Sequence, residues 1–298
     1  MVGGNKNMSK ENTAVTKKKI KRCKEDVVFD AACFIILTLV LFVVAYPLYW
    51  VIISSISAPS AVSSGKVLLH PIGFTLKGYA EVFKNDQVMR GFLNSLIITF
   101  CGVMVNLIVT LPTSYALSRS NFSGKKPITI FYLITMFFGG GLIPTYLVIQ
   151  RLQMLNTIWA LILPGCLSVY NMIVARTFFK SNISEELYEA AEIDGCTQAR
   201  FFFQIALPLS KAIIAILVLY YGVGHWNSYF SALVYISDKA KYPLQLVLRN
   251  ILITNQTALS QTATTAAARA ALQEKQQLID VMKYSLIIIS SIPVLVMY

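Results

Sequence analysis

The residues best placed to do chemistry run from Ser184 to Pro208, SEELYEAAEIDGCTQARFFFQIALP, the one charged, helix-forming passage long enough to interrupt the hydrophobic part of the chain. Ser184 is a good helix N-cap. Glu185 and Glu186 follow in the first turn, where carboxylates suit the exposed amides and the positive end of the helix dipole. Glu185, Glu189 and Glu192 recur at spacings of four and three and stack their carboxylates on one face, while Leu187, Ala190 and Ala191 occupy another. Stacked like charges repel, so this face calls for basic partners. The paired alanines leave room for another backbone or a shallow fit into a groove. The chemistry is therefore docking, not catalysis. Gly195 suits the left-handed residue that ends a helix, and Thr197 can cap a second short helix carrying Arg200 and Phe201 to Phe203. Pro208 then opens the next apolar run at a position where proline costs little. Two short helices joined by a tight bend outside a membrane are expected; the alternative is an interfacial amphipathic helix with no partner.

No acid pair, metal cluster or Ser/His/Asp grouping falls at membrane depth, and His70 and His225 are too scattered for a metal site. The chain is expected to be no enzyme and to hold no metal. It also lacks GxxxxGK[ST], so no ATP or other cofactor is expected on it, and its energy must come from a partner. An ion-coupled carrier needs ionisable groups in its spans, and the apolar runs hold almost none beyond Asp30 and Lys211 at their ends.

The elements that must position the acidic passage are membrane helices. Hydrophobic residues are 56% of the 298, charged residues 13%, and mean hydropathy is +0.62, far outside soluble composition. The net charge of +12 gathers in the N-terminal tail and short loops without a basic-aromatic groove, which speaks for membrane orientation and against nucleic acid. Five cysteines, three of them in apolar runs, imply no disulfide framework. Residues 1–28 form a basic tail, placed in the cytoplasm by Lys17, Lys18, Lys19, Lys21, Arg22 and Lys24. The membrane domain is expected over 29–298, with the first span at Val27–Ile53 and the permease core at about 92–298. Further spans are expected at Phe92–Leu117, kinked near Pro112, at Pro127–Ile149, broken by Gly139–Gly141 and Pro144, at Thr157–Ala175, and at Leu207–Gly224. The broken third span reads either as a closely packed section or as an unwound one beside the translocation path. Ser237–Lys283 reads as an outside segment. Tyr284–Tyr298 would then rise only about 22 Å against about 30 Å of hydrocarbon, so the sixth span is expected to be truncated.

The spacing Glu189-Ala190-Ala191, Asp194-Gly195, then Ile205 and Leu207-Pro208 resembles the EAA loop of ABC importer permeases. Gly139-Gly140-Gly141-Leu142-Ile143-Pro144-Thr145-Tyr146, Leu155-Asn156-Thr157 with Trp159 to Gly165, and Gly224-His225-Trp226-Asn227 with Tyr242 to Arg249 look like the carbohydrate-uptake permeases. They are most similar to the branch named for a lipoprotein-gene-cluster permease. The resemblance implies an all-α membrane protein with six transmembrane helices, the type I ABC importer permease fold, in the cell membrane. It makes loop 184–208 the coupling helices that sit in a cleft of a cytoplasmic ATPase. It also implies a second, homologous permease, two ATPase subunits that bind ATP-Mg, an extracellular sugar-binding lipoprotein and an oligosaccharide substrate. An ABC permease for a non-sugar substrate and an ion-coupled secondary carrier are the alternatives.

An uncharged sugar offers hydroxyls and flat apolar faces, so its path should be lined by aromatic and neutral polar groups. Tyr115, Tyr146, Asn171, Tyr220, Tyr221 and Asn227 are the candidates. A uronate-bearing glycan would instead call for basic groups at the outer mouth, where Arg151, Lys241 and Arg249 could serve. Sequence leaves the two open.

Overall fold

The computed structural model describes residues 24–258 and 266–298. Every described element is a helix. In chain order they are α1 (Lys24–Ser55), α2 (Pro59–Ser63), α3 (Lys77–Lys84), α4 (Asp86–Ser118), α5 (Lys125–Phe137), α6 (Leu142–Arg151), α7 (Trp159–Ile162) and α8 (Val169–Asn182). They continue with α9 (Glu185–Ile193), α10 (Gln198–Phe201), α11 (Leu207–Leu209), α12 (Lys211–Trp226), α13 (Tyr229–Tyr235), α14 (Leu244–Ala258) and α15 (Ala266–Met297). Residues 1–23 of the expected basic tail and residues 259–265 of the expected outside segment lie outside the described residues.

Three helices, Lys24–Ser55, Asp86–Ser118 and Gln276–Met297, are long and apolar enough to cross a membrane, and there are up to six such spans if each of three bent pairs counts as one. The α1 helix is apolar all round. Phe34, Leu37 and Phe42 are 71%, 68% and 70% exposed, which is stable only in a hydrocarbon solvent.

The helix that organises the remainder is α4. The Asn85 side chain caps it by accepting the N–H groups of Gln87 at 3.0 Å and Val88 at 3.2 Å. It runs unbroken through Pro112, so the kink expected there does not break the helix. Gly102, Asn106, Thr110, Ser114 and Ser118 recur every four residues and are all buried, a small and polar stripe facing α8 and α12. Its three middle residues bond to other elements. Asn106 Nδ2 donates to the carbonyls of Gly165 and Cys166 at 2.8 and 3.1 Å, and Ser114 donates to the carbonyl of Met172 at 3.0 Å. Thr110 and Tyr221 hydroxyls pair at 2.7 Å, and the Ser168 N–H donates to the same tyrosine oxygen at 3.2 Å.

These bonds explain how the chain tolerates a broken helix at membrane depth. Pro164 and Gly165 sit in a short 3-10 turn between α7 and α8, and the pair bends by 52°. A carbonyl freed by such a break costs several kcal/mol in lipid unless something meets it. Asn106 meets two of them, and its own Oδ1 lies 2.8 Å from Nε2 of His225 on α12. Gly102 makes room for that imidazole, since a Cβ there would stand 2.5 Å from the ring. One amide thus ties together α4, the break in the fourth span and α12.

The break expected at Gly139–Gly141 is present: α5 and α6 meet at 113°, and Gly141 takes φ +87°. Gly139 and Gly141 have nothing within 4 Å of a built Cβ, so this section is unwound rather than closely packed within the chain. Two expectations need correction, and the first is the helix expected as the fifth span, which starts at Lys211, not Leu207. Pro208 cannot donate to the Gln204 carbonyl, residues Phe202–Ala206 widen into a π turn, and the chain bends by 80° at Ser210. The last helix begins at Ala266, so the span Gln276–Met297 has 22 residues and rises about 33 Å, and the length argument for truncation fails. Asp280 and Lys283 read as loop residues, but they pair at 3.3 Å within the helix and do not interrupt it.

Candidate functional site: the helix pair at 184–208

Ser184 accepts the N–H of Leu187 at 3.3 Å and Thr197 that of Arg200 at 3.4 Å, so both caps expected for α9 and α10 are made. Between them Gly195 lies at φ +75°, with its N–H donating to the Glu192 carbonyl at 3.0 Å and the Cys196 N–H to the Ala191 carbonyl at 2.9 Å. This pair of bonds is the Schellman ending, and it requires the left-handed residue that glycine supplies without strain.

The two sides of the bent pair differ. Inward, Tyr188, Phe201 and Phe202 are buried with Tyr115 of α4 and Phe179 of α8. Tyr188 meets Phe201 edge-on at 5.3 Å between ring centroids, and Tyr115 meets Phe202 at 4.9 Å and Phe179 at 5.7 Å. Ala191, Ile205 and Leu207 pack against this cluster. Outward, Glu189, Ala190, Glu192, Asp194, Gly195 and Pro208 are exposed, and Ile193 stands 87% exposed among them. An isoleucine exposed beside three acids packs against little among the described residues.

The expectation of three carboxylates presented together is corrected at one position. Glu185 turns back to α4, where Oε1 accepts the N–H of Ser120 at 3.2 Å and Oε2 lies 3.9 Å from Arg119 Nη1. Arg119 is buried, donates through Nη2 to the Ile183 carbonyl at 3.3 Å and lies 5.1 Å above the Tyr115 ring. Read from sequence, Arg119 is merely a basic residue of a short loop; its pairing crosses 66 positions and leaves no local signal. Lys125 donates to the carbonyls of Arg119 and Ser120 at 3.3 and 2.9 Å, and Arg176 to that of Leu117 at 3.0 Å. Cations thus close the C-terminus of α4 at the point where the helix pair hangs from it.

No family model matches the chain. Curated relatives do. It is 34% identical over 270 residues to the polygalacturonan/rhamnogalacturonan transport system permease protein YtcP of Bacillus subtilis, covering 91% of this chain and 92% of that one. It is 36% identical over 271 residues to Protein LplC of the same organism, covering 91% and 89%. The chain belongs to the ABC transporter permeases of the carbohydrate-uptake family. In shape it matches a bacterial ABC transporter involved in the import of the acidic polysaccharide alginate, with a TM-score of 0.82, 26% identity, and coverage of 92% of this chain and 95% of that one. A permease of this family is a multi-pass membrane protein in a binding-protein-dependent importer, and ATP hydrolysis falls to a separate ATPase subunit.

The six residues expected along the permease's path do not share one environment. Tyr115 belongs to the aromatic cluster under the helix pair, and Tyr221 is buried with its hydroxyl between Thr110 and Ser168. Both are packing residues, and the path expectation is withdrawn for them. Asn171 is buried near the start of α8. Tyr146 is half-buried and stacks on Tyr235 at 6.3 Å. Tyr220 and Asn227 are exposed, the latter donating to the Val223 carbonyl at 3.0 Å. Asn106, which the sequence reading passed over, pairs with His225. The four-residue recurrence on the second span was the signal that could have found Asn106.

Proposed function

We propose that this chain forms half of the translocation path of an ATP-driven importer of oligosaccharides and docks a cytoplasmic ATPase through α9 and α10. On this reading there are six spans, α1, α4, α5 with α6, α7 with α8, α12 and α15, and residues 1–28 with the helix pair at 184–208 lie in the cytoplasm. The membrane domain occupies 29–298. A second, homologous permease, two ATPase subunits carrying ATP-Mg and an extracellular sugar-binding lipoprotein complete the complex.

The observation that carries the proposal is the two-sidedness of the helix pair. Its inner face is an aromatic plug continuous with α4 and α8, and its outer face is acidic around the exposed Ile193. Movement imposed on the outer face is passed to two membrane helices by rigid packing and by the Arg119–Glu185 link. YtcP is named for polygalacturonan and rhamnogalacturonan, and the alginate importer takes another acidic polysaccharide, so a uronate-bearing glycan is the favoured cargo. Purification in mild detergent tests the assembly: an ATPase subunit and a second permease should accompany this chain, and a chain that purifies alone would oppose the proposal.

A further inference from the structure

At the far end of α4 from the helix pair, about 50 Å away along a helix of 33 residues, a cavity of about 520 Å³ opens between the start of α4, the turn at Lys239–Lys241, α14 and α15. Its size falls in the range of about 300–1,000 Å³ usual for small-molecule sites. Val247 and Met282 supply an apolar floor, and both belong to the cluster around buried Trp226. Asn85, Gln87, Asn250 and Lys239 supply polar groups around it.

The wall bearing Lys239 is fixed. Asn94 Nδ2 on α4 donates to the carbonyls of Ala240 and Tyr242 at 2.8 and 3.1 Å, the Leu244 N–H donates to Ser95 at 2.8 Å, and Asp238 caps the turn through the Ala240 N–H at 2.9 Å. The two lysines of that turn are used differently. Lys241 donates to the Asn156 carbonyl at 2.8 Å and lies 4.0 Å from Asp238, so it is spent on holding the turn. Lys239 is exposed at the cavity and has no carboxylate within 4.0 Å among the described residues. An ammonium on a rigid wall, amides beside it and an apolar floor below match a uronic acid, with its carboxylate, ring hydroxyls and C–H face.

We propose that this cavity is a subsite for a uronic-acid unit of the incoming glycan, with Lys239 facing the carboxylate, Gln87 and Asn250 bonding hydroxyls, and Val247 and Met282 under the ring. The inference rests on the carbohydrate reading above and adds a place and a charge requirement to it. It assigns the outer-mouth cation to Lys239, not to Lys241.

The test uses the assembled transporter in lipid nanodiscs without its binding protein. Trigalacturonate and galactotriose are the probes, and saturation-transfer NMR reads their contact. Trigalacturonate should bind and weaken as salt rises. Lys239→Gln should weaken it about five- to tenfold, the range for one hydrogen bond to a charged group, while Lys239→Arg retains it. Equal binding of the two trisaccharides, or no effect of Lys239→Gln, would overturn the subsite. Uptake in cells separates the two levels: Lys239→Gln that still imports glycans but loses the acidic preference supports the subsite, whereas failure of the unmodified transporter to import any glycan overturns the carbohydrate reading itself.

Discussion

The Arg119 guanidinium stands 3.9 Å from the Glu185 carboxylate, which also accepts the backbone N–H of Ser120 at 3.2 Å. The last residues of one membrane helix are thereby held by the first turn of the exposed helix pair. Arg119 is buried while Glu185 is nearly half exposed, so solvent screens part of the attraction and the link is worth about 1 kcal/mol. Glu185→Gln should leave the complex assembled and lower the melting temperature in detergent by a few degrees. Sugar uptake should fall more than ATP hydrolysis, because what is lost is transmission. Equal loss of the two activities would reduce the link to ordinary stability.

The amide of Asn106 makes the second expectation. Asn106→Leu leaves the Gly165 and Cys166 carbonyls without their donor in a lipid-facing protein, at about 1–3 kcal/mol. Gly102→Ala drives a methyl to within 2.5 Å of the His225 ring and should destabilise comparably. Thermal unfolding of purified variants reads both; unchanged midpoints would show that α4 does not organise the broken span.

Gly195 separates strain from bulk. Its φ of +75° favours glycine or asparagine, and nothing lies within 4 Å of a built Cβ. Gly195→Asn should therefore fold almost as well as the parent, while Gly195→Val costs about 1–2 kcal/mol locally. Uptake lost in both variants with expression intact would mark a partner surface pressed against this turn; uptake kept by Asn would mark backbone strain alone.

The polarity of the fold is testable by cysteine labelling in a background without native cysteines. Positions 125, 189 and 200 should be shielded from impermeant reagent in intact cells, and positions 77, 151 and 249 should react. External labelling at 189 would invert the orientation.

How much of this was legible in the sequence depends on how local each cause is. Ser184, Thr197 and Gly195 act within a turn of themselves, so the bent pair could be read residue by residue. The start of α15 could not, because Asp280 and Lys283 read as loop residues until their pairing along a helix is seen. The bend at Ser210 follows from a π turn meeting a proline, and a π turn has no periodic signature. Glu185 turning inward and Tyr115 packing under the pair are long-range contacts, invisible to a pattern that treats every side chain of a membrane helix alike.

The central claim is that the outer face of α9 meets an ATPase. Ile193 is the residue to ask, since it is 87% exposed. Ile193→Cys carrying a short photoactivatable crosslinker should, in assembled transporter, yield one adduct with the ATPase subunit that weakens when ATP is bound and trapped. Adducts only with lipid, or none with the ATPase while it remains in the complex, would contradict the account.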